Sequence, residues 1–168
     1  MTSAERAKAM LPNMPLELFN SFMVPFITDC GWPFINYFDL THNTPWYQLL
    51  HGFNLHKFSC LQWKVSPLIL NENVLHPDSY TDIKLLIADH VFDMETPIRR
   101  KVTDSKKRFL WHMDYIKRTG KFCAPIVIVR TESNHFIILD GSHRMSALYA
   151  LRLHQTLAVD AWIGSLAT

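Results

Sequence analysis

The C-terminal quarter of the chain restricts the fold most, because its pattern changes from strand to helix and back within a short length. It reads PIVIVRTESNHFIILDGSHRMSALYALRLHQTLAVDAWIG, starting at Pro125. Pro125–Arg130 is almost entirely β-branched and His135–Asp140 is again apolar, so both predict buried strands. The segment 131–134 between them is short enough for a hairpin turn. This region therefore predicts two adjacent antiparallel strands.

A helix and a further strand follow the predicted hairpin. Ser142–Arg152 carries apolar residues at helical spacing, and Thr156–Gly164 alternates apolar and polar residues as a half-buried strand does. Upstream, the apolar run Asp82–Asp89 predicts a short buried strand. A helix is predicted over Lys106–Arg118, with Asp104 or Ser105 as its cap and Gly120 as the left-handed residue that ends it. The order strand, helix, strand, strand, helix, strand predicts a small mixed α/β (α+β) sheet with flanking helices.

The N-terminal part of the chain has a different composition, rich in aromatic residues and prolines. We predict that residues 1–77 form an extension packed on a core domain of residues 78–168. Within the extension, Leu16–Ile27 predicts a short helix halted by Pro25. Its aromatic side chains are expected to be buried rather than to line a ligand site.

Composition limits the class of protein. Hydrophobic residues make up 48 % of the 168 residues and charged residues 19 %, which is typical of a folded domain and not of a disordered chain. A formal net charge of +2 is too small to indicate nucleic-acid binding by itself. The three cysteines lie far apart, which favours free thiols in a reducing compartment. No apolar run is long enough to cross a bilayer, so we expect a cytoplasmic protein with no membrane partner.

The polar residues between the second strand and the following helix, Asp140 to Arg144, need a separate explanation. Backbone N–H groups at a helix start have no partner inside the helix, and the helix dipole adds partial positive charge there. Gly141 would let a ligand approach the backbone, while Ser142, His143 and Arg144 supply donors. Together they predict a phosphate site. The alternative is an ordinary turn dipeptide followed by a serine cap, with Arg144 pairing with a carboxylate such as Asp140 or Asp160.

The segment DGSHRMSA resembles the G-x-x-R-x-x-A signature of the ParB/sulfiredoxin-like superfamily, through Gly141, Arg144 and Ala147. Upstream, IKLLIADHVFDMETPIRR is similar to the first strand and the proline–arginine connection of that fold. SKKRFLWHMDYIKRTGKFCAPIVIV is similar to its helix, glycine and following strand. The resemblance covers about Asp78 to Gly164.

This resemblance implies that Gly141, Ser142, His143 and Arg144 hold the phosphates of a nucleoside triphosphate, ATP or CTP, with Mg²⁺. We expect Arg99 and Arg100 to assist. It also implies an enzyme, a phosphotransferase or a nucleotide hydrolase acting on a small-molecule or protein acceptor, with Asp89 as base. Because His143 lies in the loop beside the anion site, we expect it to donate to a phosphate oxygen or to act as a general acid.

Two other functions are left open by the sequence. One is a non-catalytic interaction module with a vestigial phosphate loop, and the other is a ParB-like nuclease. Ser142 stands where sulfiredoxins carry the nucleophilic cysteine, so their chemistry is not expected. Sequence-specific DNA binding is not expected either, because no helix-turn-helix follows the last strand. No metal-binding motif is present, so no metal ligands are predicted, and a homodimer remains an option.

Overall fold

The computed structural model describes residues 2–28, 55–92, 94 and 104–167. They form a mixed α/β fold, as the sequence predicts. The chain divides into two compact units, one made of residues 1–64 with 163–168 and the other of residues 65–162. Within the described ranges, we find no helix with the length and apolar character that crossing a membrane requires.

The first unit begins with short helices. Helix α1 (Ser3–Met10) starts with a capping box, in which the Thr2 hydroxyl accepts from the Glu5 N–H and the Glu5 side chain accepts from the Thr2 N–H. After it come α2 (Leu16–Leu18), a π-helical turn (Phe19–Met23) and α3 (Val24–Thr28).

The predicted stop at Pro25 is wrong, because the helix runs on to Thr28. A proline lacks an N–H and its ring collides with the carbonyl four residues back in a regular helix. Here the Val24 N–H reaches back to the Phe19 carbonyl, which widens the turn just before Pro25. The wider turn accommodates the ring. Phe19, Phe22 and Met23 are buried beside it.

Helix α4 (Leu55–Ser59) precedes an edge strand that the sequence did not indicate, β1 (Gln62–Leu68). The Trp63 ring packs edge-on against Phe58, with ring centroids 5.7 Å apart. None of its residues is fully buried, and it contains Pro67, which an edge position tolerates. The four strands lie in the order β1-β4-β2-β3.

The second unit contains the hairpin that the sequence predicts. Strands β2 (Ile126–Arg130) and β3 (Phe136–Asp140) pair antiparallel, with Ile128 opposite Ile138. Asn134 takes a left-handed φ of 64° in the turn between them. The prediction of two adjacent strands is confirmed.

The segment Asp82–Asp89 is helical, so the prediction of a strand there is wrong. It lies inside α5 (Pro77–Val91), which His76 caps by accepting from the Asp78 N–H and which Pro77 opens at its first position. Buried residues recur at helical spacing along one face of this helix. They are Ser79, Ile83, Leu86 and His90. The resemblance to a ParB/sulfiredoxin-like first strand at this segment is therefore not reproduced.

The remaining elements agree with prediction. Helix α6 (Ser105–Thr119) ends at Gly120, which has the expected left-handed φ of 68°. Helix α7 (Ser142–Ala150) follows β3 directly, and β4 (Val159–Ser165) closes the order. Helices α5 and α6 both pack against α7. Side chains from α5 and α6 therefore meet the start of α7.

Candidate functional site

The junction between β3 and α7 requires a glycine for packing reasons. Gly141 has a φ of 108°, and a Cβ at this position would lie 2.4 Å from Cγ2 of Ile126. The space expected for a ligand on this side of the backbone is thus filled by a β2 side chain. Gly141 lets α7 start close to the hairpin.

The first turn of α7 still presents backbone donors. Gly141 is the N-cap, and no side chain in the described part of the chain caps the helix. The first intrahelical bond runs from the Met145 N–H to the Gly141 carbonyl at 2.9 Å. The N–H groups at the helix start precede that bond, so they have no intrahelical acceptor. This feature of the predicted phosphate site is present.

Arg144 is buried and braces the helix against β2. Its Nη1 donates to the carbonyls of Ala124 and Pro125 at 2.8 and 2.9 Å, and its Nη2 donates to Oδ2 of Asp140 at 2.7 Å. This is the carboxylate pairing that the sequence left open as the alternative. Three of the five N–H donors of the guanidinium are used in these hydrogen bonds. Arg144 therefore contributes its positive charge to the site, and it has few donors left for a ligand.

A chain of polar side chains runs from α7 to α5 behind the helix start. Nε2 of His143 lies 2.7 Å from Oγ of Ser105, and the same hydroxyl lies 2.7 Å from Nε2 of His90. Nδ1 of His90 in turn lies 3.6 Å from Oδ2 of Asp89. Ser105 and His90 are buried, and Asp89 has no exposed surface at all. Two residues that the sequence singled out, Asp89 and His143, are therefore the two ends of one chain.

The charges of Arg108 and Arg144 act on His143, which is the end of this chain at the start of α7. Burial, followed by the charge of Arg108, lowers the pKa of His143 to about 3, with smaller contributions from His90, His112 and Arg144. Burial, followed by the charges of Arg144 and Arg108, lowers the pKa of His112 to about 4, although Asp140 opposes the shift. Both imidazoles are therefore neutral near pH 7. The same positive field attracts an anion.

Several residues of this cluster were not assigned to the site from sequence. Arg108 and His112 are four residues apart in a predicted helix, so a shared face was detectable. Ser105 was expected only as a helix cap, and it instead joins two histidines. Cys123 is a free, exposed thiol whose Sγ lies 4.0 Å from Nδ1 of His112.

The other predicted site residues are less informative. Ser142 opens α7 half-buried, and its carbonyl accepts from the Ser146 hydroxyl at 2.7 Å. Arg99 and Arg100 lie outside the described residues. Within the described ranges, histidine, cysteine and carboxylate side chains form no group of three or more that could hold a metal ion.

Compared with known proteins, the chain matches no family model, no curated protein and no solved structure. Its function is therefore argued from the site alone.

Proposed function

We propose that the chain binds a nucleoside triphosphate with Mg²⁺ at the start of α7 and catalyses phosphoryl transfer or nucleotide hydrolysis, as a ParB/sulfiredoxin-like protein. The observation that carries this proposal is one juxtaposition. Backbone donors without an intrahelical acceptor open α7, and the charges of Arg108 and Arg144 add to the burial that lowers the pKa of His143 beside them. A helix N-terminus in a positive field is suited to phosphate oxygens.

The roles of the parts follow from their chemistry. The N–H groups at the start of α7 would donate to phosphate oxygens, and the planar fork of Arg108 would bind a phosphate in a bidentate manner. Mg²⁺ would be held mainly by the phosphates and water, as is usual for this ion. Neutral His143 would face the reacting hydroxyl. Asp89 has no exposed surface, so it would act through other side chains rather than on the substrate.

Ligand binding is tested by a thermal-shift screen and then by calorimetry. ATP, CTP, GTP and inorganic triphosphate are compared with and without Mg²⁺. We expect at least one nucleotide to raise the melting temperature in a saturable way, because a ligand that binds only the folded state stabilises it. If none of the four raises it under either condition, the proposal fails.

A pair of variants locates the site. Arg108→Ala removes a charge from the N-terminal half of α6, and Lys117→Ala removes one from the last turn of the same helix. We expect Arg108→Ala to weaken binding by about 1.5–3 kcal/mol, the range for hydrogen bonds to charged groups. Lys117→Ala should change binding little. Equal losses in both variants would indicate general charge attraction and contradict a site at α7.

A further inference from the structure

The hydroxyl of Ser105 forces the two neighbouring histidines into opposite roles. It lies 2.7 Å from Nε2 of both His90 and His143. A serine hydroxyl has one hydrogen, so it can donate to only one imidazole and must accept from the other. While both rings are neutral, one Nε2 carries a proton and the other does not. Two arrangements are possible, and they differ in direction.

Asp89 selects between these arrangements. Its Oδ2 lies 3.6 Å from Nδ1 of His90, in surroundings with no solvent exposure. This distance is too long for a good hydrogen bond, but a carboxylate at this range favours a proton on the facing nitrogen and disfavours a bare lone pair. His90 therefore carries its proton on Nδ1 and accepts at Nε2 from Ser105. Ser105 then accepts from Nε2–H of His143.

This direction decides what His143 presents to the site. A neutral imidazole with its proton on Nε2 has a bare lone pair on Nδ1. Among the described residues, no hydrogen-bond donor or acceptor is paired with this Nδ1, and the ring is only partly buried. His143 is the second residue of α7, so it belongs to the same helical turn as the backbone donors of the helix start. It is placed to accept a proton.

We propose that His143, Ser105 and His90 form a proton relay that carries a proton from the α7 site to His90, beside the buried Asp89. The proton donor would be a hydroxyl or a water attacking the bound phosphoryl group, so this clause rests on the proposed function. As the new O–P bond forms, the bond between that phosphorus and the bridging oxygen of the nucleotide breaks, and the nucleoside diphosphate leaves with the electron pair. The attacking oxygen loses its proton to Nδ1 of His143. The Nε2 proton of His143 passes to Oγ of Ser105, and the Ser105 proton passes to Nε2 of His90. The product is a neutral His143 and an imidazolium at His90 next to the Asp89 carboxylate.

The charges around the chain explain why a relay is needed. Burial, followed by the charge of Arg108 and then those of His90, His112 and Arg144, lowers the pKa of His143 to about 3. A base with that pKa retains a proton poorly near pH 7. When the proton moves on to His90, the positive charge lies farther from Arg108 and Arg144 and next to the Asp89 carboxylate, so it is better stabilised there. In this scheme His143 is the catalytic base, while Ser105, His90 and Asp89 are positioning residues.

The test reads the proton positions directly and needs no ligand. The unmodified protein is labelled with ¹⁵N-histidine, and long-range ¹H–¹⁵N correlation spectra are recorded near pH 7.5. We expect His90 with its proton on Nδ1 and His143 with its proton on Nε2. We also expect the first proton taken up by this pair on acidification to appear on His90. The opposite tautomers, or first protonation at His143, would overturn the relay.

Three serine variants separate the relay from a structural role. Ser105→Ala breaks the chain, so His90 and His143 should titrate independently instead of as a coupled pair. Ser105→Thr keeps a hydroxyl and should retain the coupling. Ser79→Ala removes another buried serine hydroxyl on α5, which accepts from the Ile138 N–H, and should leave both histidines unchanged. Coupling that persists in Ser105→Ala would exclude Ser105 as the link.

Failure of the relay and failure of the proposed function give different results. If no nucleotide binds but the tautomers are as expected, the relay stands and the identity of its substrate is wrong. If a nucleotide binds but the tautomers are reversed, the phosphate site stands and the relay is wrong.

Discussion

Replacing Gly141 by alanine tests the packing at the junction of β3 and α7. The new Cβ would lie 2.4 Å from Cγ2 and 2.8 Å from Cβ of Ile126, at a φ of 108°. The backbone strain for a residue with a Cβ is about 1–2 kcal/mol. Overpacking a well-packed core typically costs about 1–3 kcal/mol more. We therefore expect a loss of about 2–5 kcal/mol, a large part of a typical total of about 5–15 kcal/mol.

The change is measured by urea unfolding, followed by circular dichroism, as a shift of the midpoint at constant slope. Gly120→Ala is a matched control, because its φ is 68° but no atom lies within 4 Å of the added Cβ. It should show only the backbone strain. The difference between the two variants then measures the collision with Ile126. Equal losses would refute the claim that Gly141 is required for close packing on β2.

The remaining predictions concern Arg144 and the histidines. Arg144→Ala removes three hydrogen bonds made by a charged group, so we expect a loss of about 1.5–3 kcal/mol in urea unfolding. The loss is limited because the Asp140 side chain is 41 % exposed and can pair with water. Arg144→Lys should recover only part of this lost stability, since lysine lacks the planar fork of donors. Full stability in Arg144→Ala would contradict the structural role of Arg144. The lowered pKa values of His143 and His112 mean that the unfolded chain takes up protons first. Stability should thus be complete above about pH 6.5 and fall as the pH drops towards 4, by up to about 1.4 kcal/mol per pH unit for His143 and less for the more exposed His112. In His143→Gln, stability should depend less on pH over this range. Equal urea midpoints at pH 7.5 and pH 5 in the unmodified protein would contradict the predicted pH dependence.

The elements that could be predicted are those whose signals are local. The hairpin of β2 and β3 follows from two apolar runs and a short turn, and α6 follows from its apolar face and Gly120. Asp82–Asp89 was mistaken for a strand because a short apolar run fits both structures. Only the longer stretch that begins with the cap His76 and Pro77 shows the helical period.

Other features leave no local signal. Strand β1 buries little on either side and contains a proline, so its sequence lacks the alternation that marks a strand. The site depends on contacts between residues far apart in the chain, since Ser105 meets His143 across 38 residues. Arg144 and Asp140 are four residues apart, and the sequence offered their pairing as an alternative. It gave no indication that Arg144 also donates to the carbonyls of Ala124 and Pro125.

The first turn of α7 divides its residues between two tasks. Gly141 and Arg144 hold the helix against β2, through a close backbone approach and three hydrogen bonds. Nε2 of His143 is paired with the Ser105 hydroxyl, which leaves Nδ1 for a ligand at the α7 site. A loss of ligand binding in Arg144→Ala would therefore follow from loss of the helix position as readily as from loss of charge. Arg108 makes no comparable hydrogen bonds to the described residues. Weaker ligand binding in Arg108→Ala at unchanged stability would therefore be clearer evidence than Arg144→Ala for an anion at this helix.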